Sequence, residues 1–229
     1  AVWGDDPRSL ALADPPAGRR VASFGLAAHC NWRAENLRHE QGRFAFRLVR
    51  DRTPWTEIAL AVPGRHQVVN ALAAAALAGE HGLPPAAIAA GLAGFPGLRR
   101  RLQRVGQIGG ADVIDDYAHH PTELAAALEA VRAVYPRRKV HLVFQPHQAS
   151  RTGRLLDEFA HCLHNATRVY ILDIYRAREG PPQPGETTAR DLVRRAESLG
   201  AAVEFLAVTE LPTLVRSLSA DDVLLAAGA

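Results

Sequence analysis

The chain has 229 residues, 48% of them hydrophobic and 22% charged, with a formal net charge of +3 and two cysteines. Such a composition fits a globular protein of two modest domains and excludes a disordered chain; the alanine-rich runs 71–79 and 86–93 are far shorter than the roughly 20 apolar residues of a membrane span. No basic segment with an apolar stretch opens the chain, so no secretory signal is expected, and Cys30 and Cys162, far apart and outside any ligand spacing, read as reduced thiols of a cytoplasmic protein.

In chain order, short strands with partial alternation are expected over 20–24, 31–37, 43–50 and 55–62, separated by turns at Gln41-Gly42 and Asp51-Arg52-Thr53-Pro54, which together make an antiparallel patch. Pro63-Gly64 breaks it. A helix over 67–79 follows, then a second from Pro84 or Pro85 to about 92, and Gly94-Phe95-Pro96-Gly97 is the hinge that divides the chain into 1–97 and 98–229. Gly106-Gln107-Ile108-Gly109-Gly110 looks like a phosphate loop but lacks both the strand–helix context and the Lys-Ser/Thr ending, and is read as a hairpin turn. Beyond it strand and helix alternate. Strands over 111–114, 139–144, 169–172, 203–206 and 222–225 are separated by helices marked by Leu124, Leu128, Val131 and Tyr135, by Leu155, Leu156, Phe159 and Leu163, by Leu192, Val193, Ala196 and Leu199, and by Leu211, Leu214, Val215 and Leu218. The fold class is therefore α/β, a mostly parallel carboxyl-terminal sheet with right-handed crossovers and flanking helices, preceded by a part-domain of antiparallel strands and helices.

The densest chemistry is Asp115-Asp116-Tyr117-Ala118-His119-His120-Pro121-Thr122-Glu123, between a strand and a helix that Pro121 opens. The carboxyl end of a strand is where open α/β sheets hold ligands. Gln145-Pro146-His147-Gln148-Ala149-Ser150-Arg151-Thr152 sits at the equivalent end of the next strand, taken as its neighbour, and Asp173-Ile174-Tyr175 at that of a third. Plainer readings stand beside these: His120 caps its helix, Asp116 is a turn residue, His147 is a backbone-bonded loop histidine and Arg151 a surface ion pair. Adjacent His119 and His120 point apart, which argues against a metal site shared with Glu123. Arg99, Arg100 and Arg101 follow the hinge and suit a phosphate, whereas 137–139 read as a solvated face; no aromatic residues interleave the basic runs, so nucleic acid is not expected. No nucleophile with a partnered base is evident, leaving positioning and charge stabilisation.

These motifs resemble those of the Mur ligases over nearly the whole chain. Gly64-Arg65-His66-Gln67-Val68-Val69-Asn70-Ala71-Leu72-Ala73-Ala74 is similar to the family's G-x-H-N-x-x-N-A-L-A-A, Arg99-Arg100-Arg101-Leu102-Gln103 to R-R-F-Q, and 115–123 to D-D-Y-G-H-H-P-T-E. Phe144 to Thr152 resembles the alanine-adding branch's F-Q-P-H-R-Y-T-R-T, and Asp173-Ile174-Tyr175 its D-I-Y. The resemblance implies ATP- and Mg2+-dependent joining of L-alanine to UDP-N-acetylmuramate through an acyl phosphate, with 1–97 the end of a central ATP-binding domain and 98–229 a Rossmann-like carboxyl-terminal domain. Carried over by position, Arg101, Asp116 and His119 are catalytic; His66, Asn70, Arg101 and Asp116 bind ATP; and Tyr117, His119, His147 and Arg151 line the amino-acid pocket. Gln67 and Gln148 stand where the family has asparagine and arginine. No G-x-x-G-K-[ST] loop occurs in the 229 residues, so the metal ligands are expected upstream and the chain reads as a fragment, inactive alone. A muropeptide-recycling ligase and a non-catalytic nucleotide- or anion-binding module are the alternatives.

Overall fold

The structure, a computed structural model, describes residues 1–11, 13 and 21–228. They fall into two units, Ala1–Gly97 and Leu98–Ala229. The first holds strands β1 (Val2–Trp3), β2 (Ser23–Gly25), β3 (Trp32–Glu40), β4 (Arg43–Arg50) and β5 (Thr53–Pro63), with helices α1 (Pro7–Ala11), α2 (His66–Glu80) and α3 (Pro85–Ala93). Two-residue turns connect β3 to β4 and β4 to β5, and Gln41-Gly42 and Asp51-Arg52 all take positive φ there. Left-handed turns of this kind match the twist of paired antiparallel strands. The sheet runs in spatial order β1-β2-β3-β4-β5, and its first two pairings are parallel, which adds a parallel margin to the antiparallel patch read from the sequence. Neither β1 nor α1 has a sequence signal, being too short to show a period. Arg20, the first residue of the strand expected over 20–24, lies outside the described residues; the observed strand starts at Ser23.

Helix α2 covers this sheet with its small face, setting Val68, Ala71, Leu72, Ala75 and Ala76 against Trp32, Phe46, Leu48, Ile58 and Leu60. Alanines bring the backbone close enough for Gly79 to lie flat against the Trp32 indole. A Cβ at position 79 would stand 2.1 Å from the indole Cη2. That ring is fully buried, donates from Nε1 to Glu80 Oε1 at 3.1 Å, and lies beneath the Arg50 guanidinium at 4.9 Å, so it has no empty direction in which to move.

The second unit holds β6 (Gln103–Ile108), β7 (Ala111–Asp116), α4 (Pro121–Val134), β8 (Lys139–Phe144), α5 (Ala149–Arg154), α6 (Leu156–Cys162), β9 (Arg168–Ile171), α7 (Ala189–Ser198), β10 (Val203–Phe205), α8 (Leu211–Ser217) and β11 (Asp222–Ala227). Gly109 and Gly110, both at positive φ, turn β6 onto β7. That is the only antiparallel pairing among the described strands of a sheet ordered β10-β9-β8-β11-β7-β6. The steps from β7 to β8, β8 to β9 and β9 to β10 all cross the sheet in one direction. Right-handed crossovers then place α4, α6 and α7 on one face, where they bury Ile114, Leu142, Phe144, Ile171, Val223 and Leu225. The final step, from β10 back to β11, runs the other way and leaves α8 on the opposite face with Val143, Tyr170, Leu172 and Leu224.

Two expectations are corrected here. β7 and β8 are not sheet neighbours, because β11 inserts between them and pairs with both. Residues 149–154 form helix α5 and not loop, so Arg151 sits on a helix; the sequence hides this because Ala-Ser-Arg-Thr-Gly-Arg has no apolar period.

The packing at Gly79 gives a stability test. Gly79→Ala should lower the unfolding free energy of the first unit by about 1–3 kcal/mol through overpacking. Gly91→Ala, in α3 with nothing within 4 Å of the added Cβ, should raise it by about 0.5–1 kcal/mol. Denaturant titration followed by tryptophan fluorescence measures both; equal effects would show that the indole yields freely.

Candidate active site

The carboxyl ends of β7, β8 and β9 carry the loops where the sequence concentrates its polar groups. Although β11 separates β7 from β8, it ends at Ala227, and the next residue is tied to its neighbours: Gly228 N–H donates to the Asp116 carbonyl at 3.2 Å and Gly228 O accepts from Arg100 Nη2 at 2.8 Å. The loops after β8 and β9 continue as a short ribbon, with Tyr175 N–H bonded to Pro146 O and Gln148 N–H to Tyr175 O, each at 2.8 Å. Loops from three strands are thereby drawn over the end of a fourth.

Asp116 works from beneath this surface. Its carboxylate is buried, 5% exposed, with Oδ2 accepting from Leu102 N–H at 2.7 Å and Oδ1 from Ala118 N–H at 2.8 Å. A buried carboxylate needs such donors. The bonds pin the 100–102 turn, in which Arg100 and Leu102 both take positive φ, against the residues after β7, and Tyr117 N–H reinforces the join by donating to Arg100 O at 2.7 Å. As a result Arg100 and Arg101 stand over the Tyr117 ring, 4.6 and 5.7 Å from its centroid, with Asp115 3.4 Å from Arg100 and Glu123 4.0 Å from Arg101.

Tyr117, His119, His147 and Arg151 come together. The Tyr117 and His119 rings lie 5.3 Å apart, those of His119 and His147 6.1 Å, and Tyr175 flanks His147 at 5.5 Å. His119 Nδ1 is 2.9 Å from Tyr117 O, and a carbonyl only accepts, so this nitrogen carries a proton. Glu123 Oε2, 3.5 Å from the same nitrogen and accepting from His119 N–H at 3.1 Å, holds the ring in place. Arg151 Nη1 lies 3.3 Å from His147 Nδ1; a guanidinium only donates, so here Nδ1 carries the lone pair and the proton is on Nε2. Burial, then the charge of Arg151 and the nearby His119, hold the His147 imidazole below its usual pKa, which favours its neutral form.

His120 takes the plainer part: it is the N-cap of α4, its Nδ1 accepting from Thr122 N–H at 3.3 Å. Among the described residues no group of three or more His, Cys, Asp or Glu side chains is placed to hold a metal ion. In the first unit, His66, Gln67 and Asn70 form a chain along the first turn of α2: Gln67 Nε2 is 3.2 Å from His66 Nε2, and Gln67 Oε1 accepts from Asn70 at 3.1 Å. The Gln67 amide thus bridges both neighbours.

Sequence reasoning missed Glu179. From the loop after β9 it accepts from Ala149 N–H at 2.7 Å and Ser150 N–H at 3.0 Å and from the Ser150 hydroxyl, closing the start of α5 on which Arg151 stands. The Ser150 hydroxyl first, and then these amides, lower its pKa. Only its distance along the chain from α5 conceals the role; an acid beside a helix of that chain position carries no local signal.

The family described as "Mur ligase, glutamate ligase domain" matches residues 100–229, and that described as "Mur ligase middle domain" matches 1–78. A UDP-N-acetylmuramate--L-alanine ligase of Salinibacter ruber is 41% identical over 228 residues, 98% of this chain and 47% of that protein. One of Desulfotalea psychrophila is 41% identical over 176 residues, covering 77% of this chain and 38% of the relative. Among solved structures, the UDP-N-acetylmuramate-alanine ligase of Thermotoga maritima aligns with a TM-score of 0.76 at 27% identity, over 91% of this chain and 44% of that one. A murein peptide ligase of Psychrobacter arcticus aligns at 0.62 and 20% identity, over 87% and 41%, and speaks for the fold alone. The chain spans about half the length of the relatives it matches.

A proton-detected titration tests the electrostatics of the site. His147 should titrate below the roughly 6.5 of an unstructured histidine, and Arg151→Ala should raise its midpoint by removing the facing charge. Because the unfolded chain binds this proton at a higher pH than the folded one, His147's contribution to stability should fall as pH drops through that window. An unchanged midpoint in Arg151→Ala would place the guanidinium away from the ring.

Proposed function

The chain belongs to the Mur ligase family, and from that premise we propose that it supplies the carboxyl-terminal half of an ATP-dependent ligase that joins L-alanine to UDP-N-acetylmuramate through an acyl phosphate. The observation that carries the amino-acid half of this reading is the gathering of His119, His147 and Arg151 within a few ångströms at the ends of β7 and β8. Alanine offers almost no side chain to grip. A pocket for it must work through the ammonium and carboxylate, and two imidazoles with a guanidinium provide both kinds of polar partner. Tyr117 and Tyr175 wall the group with aromatic faces.

We assign ATP contacts to His66 and Asn70 on α2 and to Arg101. Asp116 serves the same end by fixing the turn that carries Arg101, and a positive charge so held stabilises the negative charge of a transferring phosphoryl group. Magnesium is the family's companion of ATP, and the roles assigned here are those of this chain's own residues. The identities of the relatives support the L-alanine branch, and Gln148 in place of an expected arginine leaves Arg151 as the cation beside His147.

A hydrogen bond to a charged group contributes about 1.5–3 kcal/mol. In the intact ligase, Arg151→Ala should therefore raise the KM for L-alanine about ten- to a hundredfold while that for ATP stays unchanged. Gln148→Arg should lower the alanine KM or leave it as it is. Steady-state kinetics with each substrate varied in turn decides the matter; equal losses for alanine and ATP, or none, would make Arg151 structural.

A further inference from the structure

Arg151 has no carboxylate of its own: among the described residues its guanidinium makes no ion pair, and its side-chain partner is His147 Nδ1. Its direction is set by the six-residue helix that carries it. Gln148, the N-cap of α5, stands at φ 69° and gives no side-chain cap, so the first amides of α5 depend on another segment. That segment is the loop after β9, whose Glu179 accepts from Ala149 N–H at 2.7 Å and from Ser150 N–H at 3.0 Å. The loop is itself fastened. Arg176 pairs with Glu186 at 2.9 Å and donates from Nε to Gly180 O at 2.7 Å, while Glu179 N–H returns to Arg176 O at 2.9 Å and closes a turn through Ala177 at φ 52°. Left-handed backbone is unfavourable for an alanine or a glutamine and persists where surrounding contacts hold it. Farther along the same loop Thr187 lies against Gly153 of α5, where an added Cβ would come within 2.5 Å of the threonine Oγ1. The loop thus grips α5 at residues 149–150 and again at 153, and Arg151 lies between the two grips.

We propose that Glu179 is a positioning residue, which touches no substrate and acts by aiming Arg151 at the place of the incoming amino acid's carboxylate. The inference rests on the ligase reading, which supplies that carboxylate. Both oxygens of Glu179 are committed to α5, Oε2 to the Ala149 amide and Oε1 to the amide and hydroxyl of Ser150, which leaves it poorly suited to grip a ligand directly. Nor does it pair with Arg151 itself among the described residues; its hold on the guanidinium runs through the helix. That helix is short, and Arg151 is only two residues past the first amide that Glu179 receives, so loss of the carboxylate lets the first turn shift and the guanidinium with it. The His147 ring reports such a shift. The groups that face it are Arg151, His119 and Glu179, through their charges, and the Tyr175 ring. Arg151 disfavours the imidazolium, and Glu179 favours it by less. The two ways in which Glu179 can act on this ring therefore differ in sign: loss of its charge alone lowers the His147 midpoint, whereas release of Arg151 raises it.

Titration of His147 by nuclear magnetic resonance separates the two. In Glu179→Ala the midpoint should rise toward that of Arg151→Ala; in the Arg151→Ala background the same substitution should lower the midpoint or leave it unchanged, because no guanidinium remains to be released. Glu179→Gln removes the same charge but keeps one acceptor for the α5 amides, so its midpoint should lie below that of Glu179→Ala, and it carries the comparison between backgrounds if the alanine variant does not fold. A fall of the midpoint in Glu179→Ala, or an equal change in both backgrounds, overturns the proposal. In the intact ligase Glu179→Ala should raise the KM for L-alanine about tenfold, leave that for ATP unchanged, and add nothing to the effect of Arg151→Ala. Equal losses for alanine and ATP, or additive losses in the double variant, would make Glu179 a structural residue and overturn the proposal. A midpoint that rises as expected in a ligase whose alanine KM is indifferent to Arg151→Ala would overturn instead the amino-acid reading of the pocket, a different result from a fall of the midpoint.

Discussion

The second unit depends on the pairing of its last strand. β11 enters the centre of the sheet and pairs with β8 along its whole length on one side and with β7 from Val223 to Ala227 on the other, so it joins in the sheet the two strands that bear the histidine loops. Its side chains divide between the two cores, Val223 and Leu225 toward α4, α6 and α7, Leu224 toward α8. Parallel pairing of this kind is intrinsically slow to form, because the strand closes contacts with residues about a hundred positions earlier. The short end of β11 also explains how loops from non-adjacent strands meet: past Ala227 the backbone is held by Asp116 and Arg100, and the loops after β7 and β8 close over it.

On this frame the site is ordered by three carboxylates. Asp116 holds the arginine turn, Glu123 holds His119, and Glu179 holds the helix of Arg151. Each carboxylate bonds backbone amides, and each thereby fixes a side chain other than its own. This arrangement leaves the imidazoles with defined protons, since each Nδ1 meets a partner that can play only one role. Positioned in this way, the two histidines become chemically different.

Much of the framework was legible because it is periodic. β4 and β8 occupy the residues that alternation and apolar runs assign them, 43–50 and 139–144, and α2 starts and ends one residue outside the expected 67–79. Pro121 opens α4, with His120 as its cap. What the sequence concealed was non-local or aperiodic. The insertion of β11 is decided by pairing between distant segments, α5 is a six-residue polar helix capped from another loop by Glu179, and β1 with its parallel partner is two residues long. The candidate site residues stand out in the sequence as motifs, yet the difference between His119 and His147 rests on which atom each one meets, and no spacing encodes that.

We propose that this pocket reads the carboxylate of the amino acid through Arg151, and a ligand-and-residue cycle tests that role. Alaninamide keeps the amine of L-alanine and lacks the negative charge of its carboxylate. In the intact ligase the loss caused by Arg151→Ala, measured as kcat/KM, should be large with L-alanine and nearly vanish with alaninamide, because the partner of the guanidinium has been removed from the ligand. An equal loss with both amines would show that Arg151 does not meet the carboxylate, and would contradict the account.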